Sequence, residues 1–301
     1  MNIVITGSLG HISKPLAEKL LQQKNTVTII SSNPARQTQI EALGARAAIG
    51  AVQDADFLTK AFTGADAVYC MTPPNFSHPN QIAYYEQTAH AYAGAIRRSG
   101  VRRVVYLSSY GAHLPSGTGF ITGSYKGENI LNAMEGISLT HIRPTYFYYN
   151  LLHFIPMIKN AGFIGAAYGE EDKLPMVSPN DIAEAIAEEL TTTPKEGTAI
   201  RYVTSDERTC NEIVQVLGKI IGKPDLAWKV LPPAKVLQAL LANGIPQNAA
   251  ENLVELGMAT HTGILREEFE KNKPAFGKVS LEDYASEFAA IYHQSTEVHQ
   301  H

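Results

Sequence analysis

Two glycines three residues apart, Gly7 and Gly10, follow the apolar run Asn2-Ile3-Val4-Ile5-Thr6 and precede Ile12-Ser13-Lys14-Pro15-Leu16. A chain that turns this sharply needs backbone torsions that side chains resist and glycine accepts. If a helix opens at the turn, its first N–H groups have no intrahelical partner and carry partial positive charge. A diphosphate can then rest on the backbone itself, provided that no Cβ stands in the way. Thr6, Gly7, Leu9, Gly10, His11 and Ile12 are therefore candidate contacts of a dinucleotide. The spacing is Gly7-x-x-Gly10-x-x-Ser13, not G-x-G-x-x-G, and a serine stands in the third position. The plain alternative is an ordinary strand-to-helix turn, which the motif alone does not exclude.

The end of the next apolar run bears on which dinucleotide would bind. NAD-binding chains place a carboxylate about 20 residues beyond the glycines to take the ribose 2′-hydroxyl. Here no Asp or Glu occurs between Glu18 and Glu41, and Ser31, Ser32, Asn33 and Arg36 occupy the region. Hydroxyls and a guanidinium suit a 2′-phosphate that a carboxylate would repel, so the sequence favours NADP(H) over NAD(H). The same Ser-Ser-Asn-Pro also reads as a helix cap with Pro34 in the first turn. Thr72-Pro73 and Ser108-Ser109-Tyr110 each close a later apolar run, where a parallel sheet meets its ligand. Thr72, Pro73 and Ser108 are thus candidates to flank a cofactor. Tyr110, Tyr146, Phe147 and Tyr149 offer a flat aromatic wall for a substrate. Cys70 and Cys210 form no C-x-x-C pair, and Cys70 reads as a small core residue. No metal site is expected, since His299-x-His301 lacks further ligands.

A regular alternation places these residues. Apolar runs at 2–6, 26–30, 45–49, 67–71, 102–107 and 138–143 read as buried strands. Between them lie helical stretches, with Leu16, Ala17, Leu20 and Leu21 inward on the first and Phe57, Leu58, Ala61 and Phe62 on a later one. Residues 79–99 and 123–135 form longer helices; Tyr84, Tyr85, His90 and Tyr92 on the former read as packing. The expected fold class is α/β, a doubly wound parallel sheet of order 3-2-1-4-5-6 with the ligand crossing between strands 1 and 4. Past Pro144 the alternation stops. Ser178-Pro179-Asn180-Asp181, Thr209-x-x-Glu212 and Ser280-x-x-Asp283 read as capping boxes. Beyond about residue 204 the chain reads as mostly helical, with one further short strand near 227–230. We expect a dinucleotide-binding domain over residues 1–150, to which 174–204 returns. A smaller, mostly helical lobe over 205–301, with 151–173 contributing, covers the crevice. Residues 297–301 read as a disordered tail.

The composition excludes several classes. Of 301 residues 45% are hydrophobic and 18% charged, with a net charge of −4, an ordinary globular balance. No basic run exceeds Arg97-Arg98 or Arg102-Arg103, so no nucleic-acid surface is expected. No apolar run reaches the ~18 residues of a membrane span, and the first residues read as a strand rather than a signal peptide. Two distant cysteines suit a reducing cytoplasm. The expected partner is a small-molecule substrate, with a protein partner or a homodimer left open.

Taken in order, Thr6-Gly7-x-x-Gly10, Gly64-x-Asp66-x-Val68, Ser108-Ser109-x-Gly111-Ala112, Lys126-Gly127-Glu128, Ile142-Arg143-Pro144 with Phe147 and Asn150, and Asp181-Ile182-Ala183 resemble the NmrA-like family of atypical short-chain dehydrogenases. The resemblance spans most of the chain. It implies a Rossmann fold with a small C-terminal lobe forming the substrate cleft, and a membership that includes NADPH-sensing regulators and quinone reductases. It also exposes a departure. The usual short-chain dehydrogenases carry Tyr-x-x-x-Lys on one helix, where the lysine holds the nicotinamide ribose and lowers the tyrosine pKa. If Lys126 is that lysine, the tyrosine position holds Thr122. Tyr125 lies about 100° round the helix and points elsewhere. Lys126 remains a candidate for positioning the ribose, against the plain reading of a solvated lysine.

The missing tyrosine supports two readings. One is an NADPH-dependent reductase of a quinone-like or other small electrophile, a reaction that needs proximity more than a strong acid. The other is a non-catalytic NADP(H) redox sensor acting through a protein partner. Epimerase chemistry on a nucleotide sugar would want the Tyr–Lys pair that Thr122 breaks.

Overall fold

A computed structural model describes residues 1–297. The expected tail over 297–301, with its His299-x-His301 pair, lies outside them except for Glu297, the last residue of a helix. Six strands fall where the apolar runs place them: β1 (Asn2–Ile5), β2 (Thr26–Ser31), β3 (Arg46–Ile49), β4 (Ala67–Cys70), β5 (Arg103–Leu107) and β6 (Ser138–Pro144). Between them run α1 (Ser13–Gln22), α2 (Gln37–Ala42), α3 (Ala55–Phe62), α4 (Gln81–Ser99) and α5 (Ile121–Asn132). Then come β7 (Tyr146–Phe147), α6 (Ile155–Ala161), β8 (Ile164–Ala166), β9 (Lys173–Val177), α7 (Pro179–Thr191), β10 (Gly197–Val203), β11 (Asp206–Thr209), α8 (Cys210–Ile220), β12 (Trp228–Val230), α9 (Pro233–Ala242), α10 (Gln247–Thr262), α11 (Glu267–Lys271) and α12 (Leu281–Glu297).

The central sheet is parallel, in the order β3-β2-β1-β4-β5-β6-β10. The first six strands keep the expected order, and the reversal between β1 and β4 opens the crevice. Both faces are covered. On one, Leu16, Ala17 and Leu20 of α1 pack with Ile182, Ile186 and Leu190 of α7; on the other, Leu58 and Phe62 of α3 pack with Tyr92 and Ile96 of α4. Cys70 belongs to that second core and is fully buried. The lobe has its own core around Tyr148, Leu217, Trp228 and Phe288. Among the described residues no helix is long and apolar enough to cross a membrane.

Three details differ from the sequence reading. A seventh strand, β10, pairs along the whole of β6. Its first four residues are exposed at the sheet edge, so it lacks the unbroken apolar run of a central strand. The lobe also has more strand than the single one expected. β11, sequence Asp-Glu-Arg-Thr, pairs antiparallel with β9, and β7 joins β9 from the other side; tertiary pairing overrides a charged, poorly strand-forming sequence. Finally, Thr209–Glu212 and Ser280–Asp283 are reciprocal capping boxes, but Ser178–Asp181 is not. Ser178 caps α7 by accepting from the Asn180 N–H, while the Asp181 carboxylate accepts from Ser205 and from the Lys278 and Val279 N–H groups.

Candidate cofactor and acceptor cleft

The glycine turn lies at the C-terminal end of β1. Gly7 has φ +92°, and a Cβ there would come within 2.4 Å of the Ser13 hydroxyl. That hydroxyl donates to the Thr6 carbonyl at 2.8 Å, so the serine in the third position ties α1 to the strand it leaves. Thr6 is committed to the scaffold: its hydroxyl donates to the Tyr69 carbonyl and accepts from the Met71 N–H at 2.9 Å, stitching β1 to β4. Leu9 and Ile12 pack into the core beneath the turn, whereas Gly10 and His11 are exposed. The N–H groups of His11, Ile12 and Ser13 have no acceptor among the described residues. They form a bare donor set at the positive end of a ten-residue helix.

At the end of β2 the four candidate residues separate. Ser31 is buried, and its hydroxyl accepts from Ser8 of the glycine turn at 2.9 Å. Asn33 caps the 3-10 turn Pro34–Arg36 by accepting from the Ala35 N–H. The cap reading therefore describes Asn33 as it stands. Ser32 and Arg36 are exposed, and among the described residues the Arg36 guanidinium donates to Gln39, at 2.6 Å, and pairs with no carboxylate.

At the ends of β4 and β5, Thr72 and Ser108 differ in kind. The hydroxyls of Thr72 and Tyr106 are both buried near each other, and neither has a hydrogen bond of good geometry among the described residues. Pro73 beside it is half-buried. Ser108 instead turns inward and donates to the Glu128 carboxylate at 2.5 Å. Glu128 also accepts from Arg143 at 2.9 and 2.7 Å, and Arg143 reaches Tyr202 and Glu268, each at 3.0 Å. Burial opposes the charge on Arg143, but the hydrogen bonds and charge of Glu128 outweigh it and raise its pKa. Glu268 belongs to α11, so this buried network couples the lobe to the ends of β5 and β6. The sequence reading did not assign it a role. Its signal was an arginine within a strand every residue of which is buried, since a buried charge demands a partner.

On α5, Lys126 is half-exposed and pairs with Glu86 of α4 at 2.9 Å. Four residues before it the Thr122 hydroxyl is buried against that of Thr118, at 3.2 Å. The position four residues before Lys126 thus carries a hydroxyl of threonine, not a phenol.

The aromatic wall divides in two, because successive residues of a strand point to opposite faces. Tyr146 shares a hydrogen bond with Tyr168 at 3.2 Å. Tyr110 packs beneath α10 and α11 with Leu265 and Phe269. Phe147 and Tyr149 instead continue toward the glycine turn, where Tyr149 stacks on His11. Burial pushes the phenol of Tyr149 up, so it stays protonated across the neutral range.

These residues fit a dinucleotide. The turn supplies unpaired N–H donors and space where side chains are absent, and Thr72 supplies an orphaned buried hydroxyl of the sort that awaits a ligand or water.

Known proteins resemble this chain over most of its length. Residues 1–264 match the model of the NmrA-like family. A (4-alkanoyl-5-oxo-2,5-dihydrofuran-3-yl)methyl phosphate reductase of Streptomyces griseus is 29% identical over 261 residues, covering 87% of this chain and 88% of its own. An NAD(P)H azoreductase of Xenophilus azovorans is 25% identical over 255 residues, covering 84% and 85%. The structure of an NADPH-dependent quinone oxidoreductase from Escherichia coli in complex with NADPH superposes with a TM-score of 0.79 at 22% identity, covering 95% and 99% of the two chains. That last likeness concerns the fold. With the family match extending over most of its length, the chain belongs to the NmrA-like family.

Proposed function

We propose that this protein is an NADPH-dependent reductase of a quinone-like or other small planar electrophile. The observation that carries the reading is a bare donor turn at the crevice combined with a threonine where the acid of an alcohol dehydrogenase would stand. The names of the two similar proteins, an azoreductase and an unsaturated-lactone phosphate reductase, support it. So does the name of the similarly folded quinone oxidoreductase.

A bound reduced nicotinamide supplies a hydride. The chain's own residues bind, orient and shelter it. The His11, Ile12 and Ser13 N–H groups hold the diphosphate. Ser32 and Arg36 reach the 2′-phosphate, which gives the preference for NADP(H). Thr72 and Pro73 flank the cofactor, and Lys126 positions the ribose, sharing its charge with Glu86. Ser108 acts indirectly, as part of the Glu128–Arg143 network beneath the site. Phe147 and Tyr149 wall the crevice on the turn side and Tyr146 on the lobe side, whereas Tyr110 is buried in the packing beneath α10 and α11. An acceptor that becomes a delocalised anion after hydride addition takes its proton from solvent, so the site needs no dyad tyrosine.

In this reading residues 1–150 with 174–204 make the cofactor domain, and 205–301 with 151–173 make the substrate lobe. The two free, buried cysteines suit a reducing compartment such as the cytoplasm. The test is a stopped-flow mix of NADPH-loaded protein with a panel of quinones and azo dyes. NADPH oxidation above the buffer rate is expected; its absence with every acceptor would refute the reductase reading.

A further inference from the structure

The lobe meets the sheet along a seam, and α10 closes that seam by backbone contact. Asn248 accepts from the Gln81 N–H at 2.9 Å, which fixes α10 to the start of α4. Gly119 has φ +58°, and a Cβ there would fall 2.0 Å from the Asn252 carbonyl oxygen. Only glycine lets α10 settle this close to the segment before α5.

Phe76 and Phe120 come together at this seam. Phe76 lies four residues past Thr72 in the segment after β4, and Phe120 lies six residues before Lys126. Their ring centroids are 5.7 Å apart at 68°, an edge-to-face pair. The segment carrying Phe76 is tightly built. The buried Gln81 amide donates to the Asn75 and His78 carbonyls at 3.0 and 2.7 Å. Ser77 donates to the Asn75 side chain at 2.7 Å, and Asn80 caps α4. The segment spends its polar groups on itself and leaves Phe76 outward, 45% exposed. A large ring held in place yet left half in water forfeits burial that a core would give.

Resting on the reductase reading, we propose that Phe76 and Phe120 form the acceptor-selecting platform at the cleft mouth, and that the preferred acceptor carries more than one flat apolar ring. Gly123, three residues past Phe120, packs against the Tyr85 ring, and the Tyr85 phenol lies close to that of Tyr149 in the aromatic wall, so the pair stands beside that wall. The inner aromatic wall receives the reacting ring, and the pair receives the ring fused to it. Edge and face contacts to such a ring add affinity beyond area burial, whereas a single-ring acceptor leaves them unused.

The experiment compares 1,4-naphthoquinone with 1,4-benzoquinone in the wild type and in Phe76→Ala, Phe76→Leu and Phe120→Ala. The naphthoquinone-to-benzoquinone ratio of kcat/KM should fall by about fivefold or more in the alanine variants, the size of an aromatic contact. Phe76→Leu, apolar but not flat, should fall between. A second arm measures 1,4-naphthoquinone binding to NADP+-loaded protein by calorimetry, where no turnover occurs; affinity should drop by a similar factor. An unchanged ratio, or wild-type protein that binds no naphthoquinone, would overturn the inference. Wild-type protein that oxidises NADPH with no acceptor would overturn the reductase reading instead, and the calorimetric arm would still decide the platform.

Discussion

The rings of His11 and Tyr149 stack with centroids 4.5 Å apart and planes 20° apart, and Tyr149 stacks in turn on Phe147 at 5.1 Å. The glycine turn is thereby joined to the segment after β6 by a row of three rings. The row borders the crevice through which a dinucleotide passes. An aromatic pair contributes about 0.5–1.5 kcal/mol beyond area burial. Tyr149→Ala should therefore weaken NADPH binding by roughly 2- to 12-fold, while Tyr149→Phe, which keeps the stack, stays within about twofold. Fluorescence titration with NADPH separates the two. Equal damage in both variants would shift the role from ring to hydroxyl.

The two glycines of the turn should fail in different ways. Gly7 is structural: its φ of +92° and the Ser13 hydroxyl 2.4 Å from a would-be Cβ make Gly7→Ala unfavourable in the free protein. Gly10 is exposed, and a Cβ there meets only the Gly7 carbonyl oxygen, at 3.0 Å. Gly10→Val should abolish NADPH binding while lowering Tm by only a few degrees, about 2–4 °C for each kcal/mol in a chain of this class. Gly7→Ala should lower Tm further. A Gly10→Val protein with wild-type NADPH affinity would remove the turn from the cofactor site.

Arg36 tests the choice of dinucleotide. Its guanidinium is exposed and held only by Gln39, so it can turn to a phosphate at little cost. A charged hydrogen bond contributes on the order of 1.5–3 kcal/mol. NADPH should bind at least ~10-fold more tightly than NADH, and Arg36→Ala should erase most of that gap by weakening NADPH alone. Equal NADPH and NADH dissociation constants in the wild type would show that this loop does not read the phosphate.

His141 should make the protein acid-sensitive. Burial lowers its pKa to about 4, with Glu128 opposing and Arg143 adding to the shift. One ring nitrogen bonds Asn132 at 2.7 Å and the other has no partner among the described residues. Unfolded, the ring titrates near 6.5. Between pH 6.5 and 4 the unfolded chain takes a proton that the folded chain refuses. Stability from this group is thus complete above about pH 6.5 and is lost as pH falls toward 4. The loss should reach about 2 kcal/mol at pH 5. Urea unfolding at pH 7.5 and 5.0 should show it, and His141→Gln should shrink the difference between the two pH values. An undiminished difference in that variant would place the acid sensitivity elsewhere.

What the sequence made legible, and what it did not, follows from the range of the interactions. Strands β1, β2, β4 and β5 lie inside the sheet and are mostly buried, so each appears as an apolar run; β3 at the edge is only partly buried, and β6 carries Thr140, His141 and Arg143 within a buried strand. The turn is legible because its glycines answer to local backbone geometry. Asp181 was misread because its partners, Ser205, Lys278 and Val279, are distant in sequence, and a capping box is only a local pattern. Ser108 was placed at a ligand because strand ends face ligands; the partner that turns it inward, Glu128, comes from another element. Phe76 and Phe120 carry no spacing signal, since only the fold brings them into contact.

The seventh strand gives the nascent chain a vulnerable interval. β6 is complete at Pro144, yet the strand that covers its outer edge begins at Gly197. While residues 145–196 are being made, β6 presents a row of bare amide and carbonyl groups, the template on which chains join edge to edge. Truncation anywhere in that interval leaves the edge open for good. Until β10 emerges and pairs, therefore, this edge is open to joining another chain.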